Sequence, residues 1–319
     1  MHIPLSHHLS DVGLLAYGCM GLGGRWEHPS YTKQERQQAF TAIDTALEQG
    51  IRLFDHADIY KHGRAEQVFG EYLQANPQLR ASMYLQTKCG IRMADPEHVG
   101  RYDFSAGYIR QQVDASLQRL QTDYIDILVL HRPDPLMDPH EVAQVFDQLH
   151  QSGKVRYFGV SNFGWPQLQW LQQHCTKPLV VNQLQMSLAD HAFIEQNVLT
   201  GMPEGSKHFF GYGTAEFCLQ QGVQLQAWGS LAQGRFSGRA QTAHEHKVSA
   251  VVAQIAALYG VSAEAILLAW LRRLPLQIQP VIGTTDPRRI AQSCAARHLM
   301  LNREHWYQLW VAARGQALP

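Results

Sequence analysis

Eight times along the chain, a short apolar or β-branched run is followed by a segment with helical spacing. The runs fall at 14–18, 51–54, 83–87, 126–130, 155–160, 179–182, 223–227 and 280–282. In 33–49, Phe40, Ile43 and Leu47 share one helical face. In 105–120, Ile109, Val113, Leu117 and Leu120 do the same. Gly50, Gly153 and Gly222 stand between a helix and the next strand, where a left-handed C-cap is wanted. A strand–helix–strand repeat predicts parallel strands, because a parallel pair needs a long crossover. Two architectures satisfy it: an open doubly wound sheet and a closed (β/α)8 TIM barrel. Eight units in 319 residues favour the barrel.

No Pro/Ser-rich linker or composition shift divides the chain, so residues 1–319 are expected to form one domain. Three segments exceed the repeat: 187–212, 229–247 and the tail beyond about 298. They predict long loops after strands 6 and 7 and a C-terminal helical tail. Excess chain at the C-terminal ends of barrel strands is where substrate contacts are built.

Composition excludes several classes of function. Lys+Arg and Asp+Glu number 27 each, so the net charge is zero and no basic surplus points to nucleic acid. Charged residues reach only 17%, and 34 glutamines make up much of the polar deficit, with much of the outer surface expected to be polar through them. The longest apolar run, 265–271, is far below the ~20 residues of a membrane span. The start, Met1-His2-Ile3-Pro4-Leu5-Ser6-His7-His8, lacks the regions of a secretion signal. The five cysteines are scattered and form no CxxC, which predicts reduced thiols in a cytoplasmic protein. His244-Glu245-His246 is not HExxH, and no metal site is expected. The stretch 18–24 is glycine-rich but is not GxGxxG, and GxxxxGK[ST] does not occur.

In a barrel the chemistry sits at the C-terminal ends of the strands. Asp55, Lys88 and His131 end strands 2, 3 and 4, and Tyr60 follows Asp55 by five residues. Together they form a coherent set. A carbonyl that accepts hydride needs a proton on its oxygen, and Tyr60 can supply it. A free phenol has a pKa of about 10. Lys88 beside it is expected to lower that value. At ~4 Å and an effective dielectric of ~20 the attraction is ~4 kcal/mol, more than the ~2.7 kcal/mol of a two-unit shift. Asp55 is expected to hold Lys88, and His131 to orient the carbonyl oxygen.

The stretch Phe54-Asp55-His56-Ala57-Asp58-Ile59-Tyr60, followed by Gly63 and Glu66, resembles the aldo-keto reductase signature. Later segments match in order: Gln86-Thr87-Lys88, 123–131, 153–163, Asn182-Gln183, 227–231 and 281–285. The stretch from His131 to Asn162 is most similar to a bacterial branch of general oxidoreductases in that family. The resemblance implies reduction of a small-molecule aldehyde or ketone by NADPH, with NADH as the lesser alternative, on the tetrad Asp55, Tyr60, Lys88 and His131. It implies that Ser161, Asn162 and Gln183 bond the nicotinamide carboxamide and that Trp228 stacks on its ring. Gly18, Cys19 and Met20 would line the cofactor. Gly229, Ser230, Leu231, Gln233 and Arg235 would take the pyrophosphate. Gly283, Thr284 and Thr285 lead into a helix opening at Asp286-Pro287, where Arg289 would meet the 2′-phosphate and Gln292 the adenine. Gly283 stands where the family often has Lys, which lowers the charge offered to that phosphate. Trp26, Trp165 and Phe236, with Tyr60 and His131, are the expected walls of the substrate pocket. Some barrels of this family instead serve as nucleotide-binding subunits of channels, and little chain precedes strand 1 here for such docking.

Overall fold

The structure is a computed structural model that describes residues 3–319, so Met1 and His2 of the N-terminal reading lie outside the described residues. Eight parallel strands close into a barrel. They are β1 (Ala16–Gly18), β2 (Leu53–Asp55), β3 (Tyr84–Cys89), β4 (Ile125–Leu130), β5 (Val155–Ser161), β6 (Leu179–Gln185), β7 (Gln224–Trp228) and β8 (Gln279–Ile282). Each pairs with its neighbours in sequence, and β1 closes on β8 through Ala16–Val281 and Tyr17–Ile282. Every strand lies within three residues of its expected run. A two-stranded antiparallel flap, Ile91–Arg92 with Arg101–Tyr102, follows β3.

The helices form the outer layer. They are α1 (Lys33–Glu48), α2 (Arg64–Ala75), α3 (Ala106–Leu120), α4 (Pro139–Gln151), α5 (Trp165–Gln172), α6 (Ala192–Val198), α7 (Thr214–Gln220), α8 (Ala243–Tyr259), α9 (Ala263–Arg272), α10 (Pro287–Cys294) and α11 (Arg303–Arg314). Local chemistry sets their starts. Thr32 and Thr242 form capping boxes with Glu35 and Glu245. Gly50, Gly153 and Gly222 adopt positive φ, as their places before β2, β5 and β7 require. The face of α1 is wider than the expected stripe: Ala39, Ala42, Ile43 and Ala46 are buried, and Phe40 and Leu47 pack half-buried against the same core. Small residues let α1 lie close on the barrel, and Phe40 turns sideways to meet Tyr72 of α2 edge-on at 5.2 Å.

Period-two alternation divides the strand side chains between helices and lumen. At the N-terminal mouth, Ile3, Leu5, Leu9 and Val12 plug the barrel against Leu53, Ile127, Val129, Val181 and Val281. The segment 187–212 is not a bare loop. It folds α6 and a 3-10 turn, and Glu195 of α6 accepts from Trp310 Nε1 at 2.9 Å and Arg314 Nε at 2.6 Å, both on α11. The excursion and the tail thus hold each other over the top of β6. All five cysteines are free, and all but Cys175 are buried. Among the described residues, no single helix is long and apolar enough to cross a membrane.

Helices α2 and α3 approach closest at Gly70, where an added Cβ would overlap the Arg119 carbonyl oxygen. Gly70→Ala should therefore cost about 2 kcal/mol, the scale of overpacking in a closed core. A lowered urea midpoint with unchanged slope is expected. An unchanged midpoint would show that α3 yields freely.

Candidate active site

The four expected residues meet at the C-terminal mouth. Asp55 is the last residue of β2, Lys88 lies inside β3, and His131 follows β4. Both oxygens of Asp55 accept from Lys88 Nζ at 2.7 Å. Lys88 Nζ also donates to the His56 carbonyl at 2.9 Å and to Tyr60 Oη at 3.1 Å. An ammonium has three N–H groups, so Lys88 is fully committed. The Tyr60 oxygen accepts from it, which leaves the phenolic proton free to face the mouth. His131 stands edge-on to the Tyr60 ring, with centroids 5.9 Å apart.

Backbone shape delivers Tyr60 to this point. Lys61, His62 and Gly63 all have positive φ, and this tight left-handed run turns the chain into α2. Glu66 of the same signature is fully buried and structural. It accepts from Thr87 Oγ1 at 2.6 Å and Arg119 Nε at 2.7 Å, tying α2 to β3 and α3.

The protonation states follow from burial and charge. Burial pushes the Tyr60 phenol up, Lys88 pulls it down, and the net direction is up. The sequence led us to expect a lowered value. Desolvation outweighs the ammonium here, so the phenol stays protonated at neutral pH. Burial alone would lower Lys88, but Asp55 and Tyr60 reverse this and hold it charged. His131 is pushed down to about 3 by burial, with Lys88 and Arg132 adding to it. Its imidazole is neutral, and its Nδ1 is buried without a protein partner.

Most of the expected cofactor residues lie at the C-terminal ends of β1 and β5–β8 or in the segments that follow them. Ser161 Oγ donates to the Gln183 carbonyl at 2.8 Å. Asn162, with φ 63°, donates to the His131 carbonyl at 3.1 Å and accepts from Trp228 Nε1 at 3.1 Å. Gln183 gives one N–H to Gln226 Oε1 at 3.0 Å. Ser230 is buried and donates to the Val281 carbonyl at 2.7 Å, which anchors the loop holding Gly229 and Leu231. Gly229, Ala232, Gln233 and Gly234 all have positive φ, so the turn is strongly curved. On the other side, Gly18 pairs with Asp55, Cys19 is buried, and Met20 is exposed. Gly283 leads to Thr284, whose carbonyl accepts from Tyr17 Oη at 3.0 Å. Thr285 accepts from Gln38 Nε2 at 3.1 Å, and Gln292 is exposed on α10.

The two arginines expected to meet phosphates are already paired. Arg235 lies 3.5 Å from Asp190 and 3.9 Å from Glu245. Arg289 bonds Glu264 at 2.9 Å and reaches Ser237, whereas Arg288 is largely in solvent. Of the expected walls, Trp26 packs edge-on to His62 at 5.4 Å beneath the Lys61 ammonium. Trp165 opens α5 and leans on Phe217 at 5.8 Å. Phe236 is buried in the main hydrophobic core.

Motif reading gave no role to Gln86, which lies inside a matching segment, and passed over Gln226 and Gln279. Gln86 donates to Asp55 Oδ1 at 2.6 Å and to Gln226 Oε1 at 2.8 Å. A signal existed for the last two: glutamines alternate with apolar residues at 224 and 226 and at 277 and 279, the period of a strand face.

An aldo/keto reductase family model matches residues 14–310. The chain belongs to the aldo/keto reductase family. It is 36% identical to Oxidoreductase YdhF of Escherichia coli over 93% of this chain and 94% of that one. It is 36% identical to a 6-dehydroglucose reductase of Novosphingobium aromaticivorans over 99% of this chain and 96% of that one. The barrel superposes with a TM-score of 0.71 on an aldo-keto reductase from Klebsiella pneumoniae in complex with NADPH, 24% identical and covering 93% and 90% of the two chains.

The neutral state of His131 is open to direct test. Its Cε1–H resonance, assigned by its loss in His131→Gln, should not titrate from pH ~5 to ~8, where an ordinary imidazole does. A midpoint near 6.5 would place a charged imidazole at the mouth.

Proposed function

We propose that this reductase transfers hydride from NADPH to the carbonyl of a small aldehyde or ketone, with Tyr60 as proton donor. The observation that carries the reading is the Lys88 ammonium. Its three N–H groups are spent on Asp55, His56 and Tyr60 Oη, so the phenol keeps one proton and can give it away.

The mouth of the barrel suits a nicotinamide dinucleotide. Ser161, Asn162 and Gln183 offer amide and hydroxyl groups that match a carboxamide. Trp228 offers an aromatic face, held in place by Asn162. The curved turn 229–235 presents backbone N–H groups suited to a pyrophosphate, beside Arg235. The start of α10 and Arg289 offer positive potential for a 2′-phosphate, offset in part by the Asp286 cap and the Arg289–Glu264 pair. Bound there, NADPH supplies the hydride. NADPH is also the ligand of the Klebsiella pneumoniae relative.

The chain's own residues perform the rest. His131, neutral and edge-on to Tyr60, orients the substrate oxygen toward the phenol. Tyr60 Oη gives its proton to that oxygen as negative charge develops on it. Lys88, held charged by Asp55, stabilises the phenolate left behind. The phenol recovers its proton from solvent at the mouth. The free, mostly buried cysteines suit a reducing, cytoplasmic setting.

Tyr60→Phe should keep NADPH binding and lose roughly 10²-fold or more in kcat for aldehyde reduction, the scale of a lost general acid. Near-native turnover would overturn the assignment. Arg289→Ala should raise KM for NADPH more than for NADH. Equal effects on both would show that Arg289 does not touch the 2′-phosphate.

A further inference from the structure

Barrel interiors are ordinarily filled by branched apolar side chains. This one carries a row of amides. Gln183 of β6, Gln226 of β7 and Gln279 of β8 are direct register partners. Asp55 of β2 and Gln86 of β3 form a second such pair. All four glutamines are at most 2% exposed. The two rows meet across the lumen, where Gln86 Nε2 donates to Gln226 Oε1 at 2.8 Å.

The network has a direction. Asp55 can only accept, so Gln86 must turn its nitrogen toward the carboxylate. The Gln86 oxygen has no partner, so only its donors set the amide's orientation. The second Gln86 N–H then fixes Gln226 with its oxygen inward. Gln226 Nε2 donates to Gln279 Oε1 at 3.0 Å, and Gln279 Nε2 donates to the Gly13 carbonyl at 2.9 Å. Each end is an obligate acceptor, so the amide orientations agree along the whole chain. Gln183 joins at Gln226 Oε1, 3.0 Å away.

We infer that Gln86, backed by Gln226, is a positioning residue for the tetrad. It fixes the Asp55 carboxylate, which in turn aims the Lys88 ammonium at Tyr60. Its bond to Asp55, at 2.6 Å, is charge-assisted and short. Gln86 touches neither Tyr60 nor the mouth. The titratable or charged groups around Tyr60 are Lys88, Asp55, Cys19 and His131, and Gln86 bears only on the first two. Through Gln226 the same network ties Gln183, one of the proposed cofactor residues, to the tetrad. The inference rests on the reading of Tyr60 as proton donor.

Gln86→Met keeps length and removes both donors. It should lower kcat for aldehyde reduction about tenfold while KM for the aldehyde and Kd for NADPH stay within about twofold. That split separates positioning from binding. Gln226→Met should act in the same direction, about threefold.

A second readout needs neither cofactor nor turnover. The chain has only seven lysines. In apo protein labelled with 15N-lysine, the buried Lys88 ammonium should give a slowly exchanging resonance, assigned by its loss in Lys88→Met. In Gln86→Met this resonance should shift or broaden. Native kcat and an unmoved Lys88 resonance in both glutamine variants would overturn the inference. If Gln86→Met fails to fold, Gln226→Met decides. Failure of the proton-donor reading looks different: Tyr60→Phe would then turn over normally, whatever the Lys88 resonance does.

Discussion

A buried ammonium must find an acceptor for each N–H, and Lys88 finds them in Asp55, the His56 carbonyl and Tyr60 Oη. Most of the mouth can be derived from that requirement. Asp55, the last residue of β2, pairs in register with Gln86 of β3, which brings its carboxylate to Lys88. The chain beyond must turn back at once, which the left-handed run 61–63 achieves. Removing one member of such a buried pair strands the other charge, a cost of about 3–5 kcal/mol. Site and fold are therefore coupled in this molecule.

Burial explains the chemistry as well as the geometry. It raises the phenol, lowers His131 to about 3 and, against Asp55, fails to discharge Lys88. A neutral acid, a neutral imidazole and one fixed cation are the states that protonating a carbonyl oxygen requires. The expected effect of Lys88 on Tyr60 has the right sign but loses to desolvation. From sequence, the charge is visible and the depth is not.

Much of the fold was legible because β-branched runs buried on both faces stand out from helical spacing, and the tetrad because barrel topology places strand ends together. Boundaries drifted where polar residues point into the lumen, as at Lys88 and Gln185, since such positions look like strand ends. The α1 stripe of Phe40, Ile43 and Leu47 does face the core, and the alanines beside it, which carry no strong pattern, make the closest contact. The glutamines looked like surface polarity, and only the closed sheet shows that four of them face one another. The pairing of Arg289 with Glu264 spans 25 residues and two helices, beyond the reach of motif spacing. That pairing would temper the positive charge that Arg289 offers to the proposed 2′-phosphate.

The central claim is that the Lys88 ammonium lowers the proton affinity that burial raises at Tyr60, and the pH dependence of kcat for alcohol oxidation tests it most directly. In the proposed mechanism Tyr60 acts as phenolate in that direction, so the rate should rise with pH through its ionisation. In Lys88→Met the cation that favours phenolate is gone, so the rise should move to higher pH and the rate at neutral pH should fall sharply. A profile that keeps its midpoint in Lys88→Met would contradict the account.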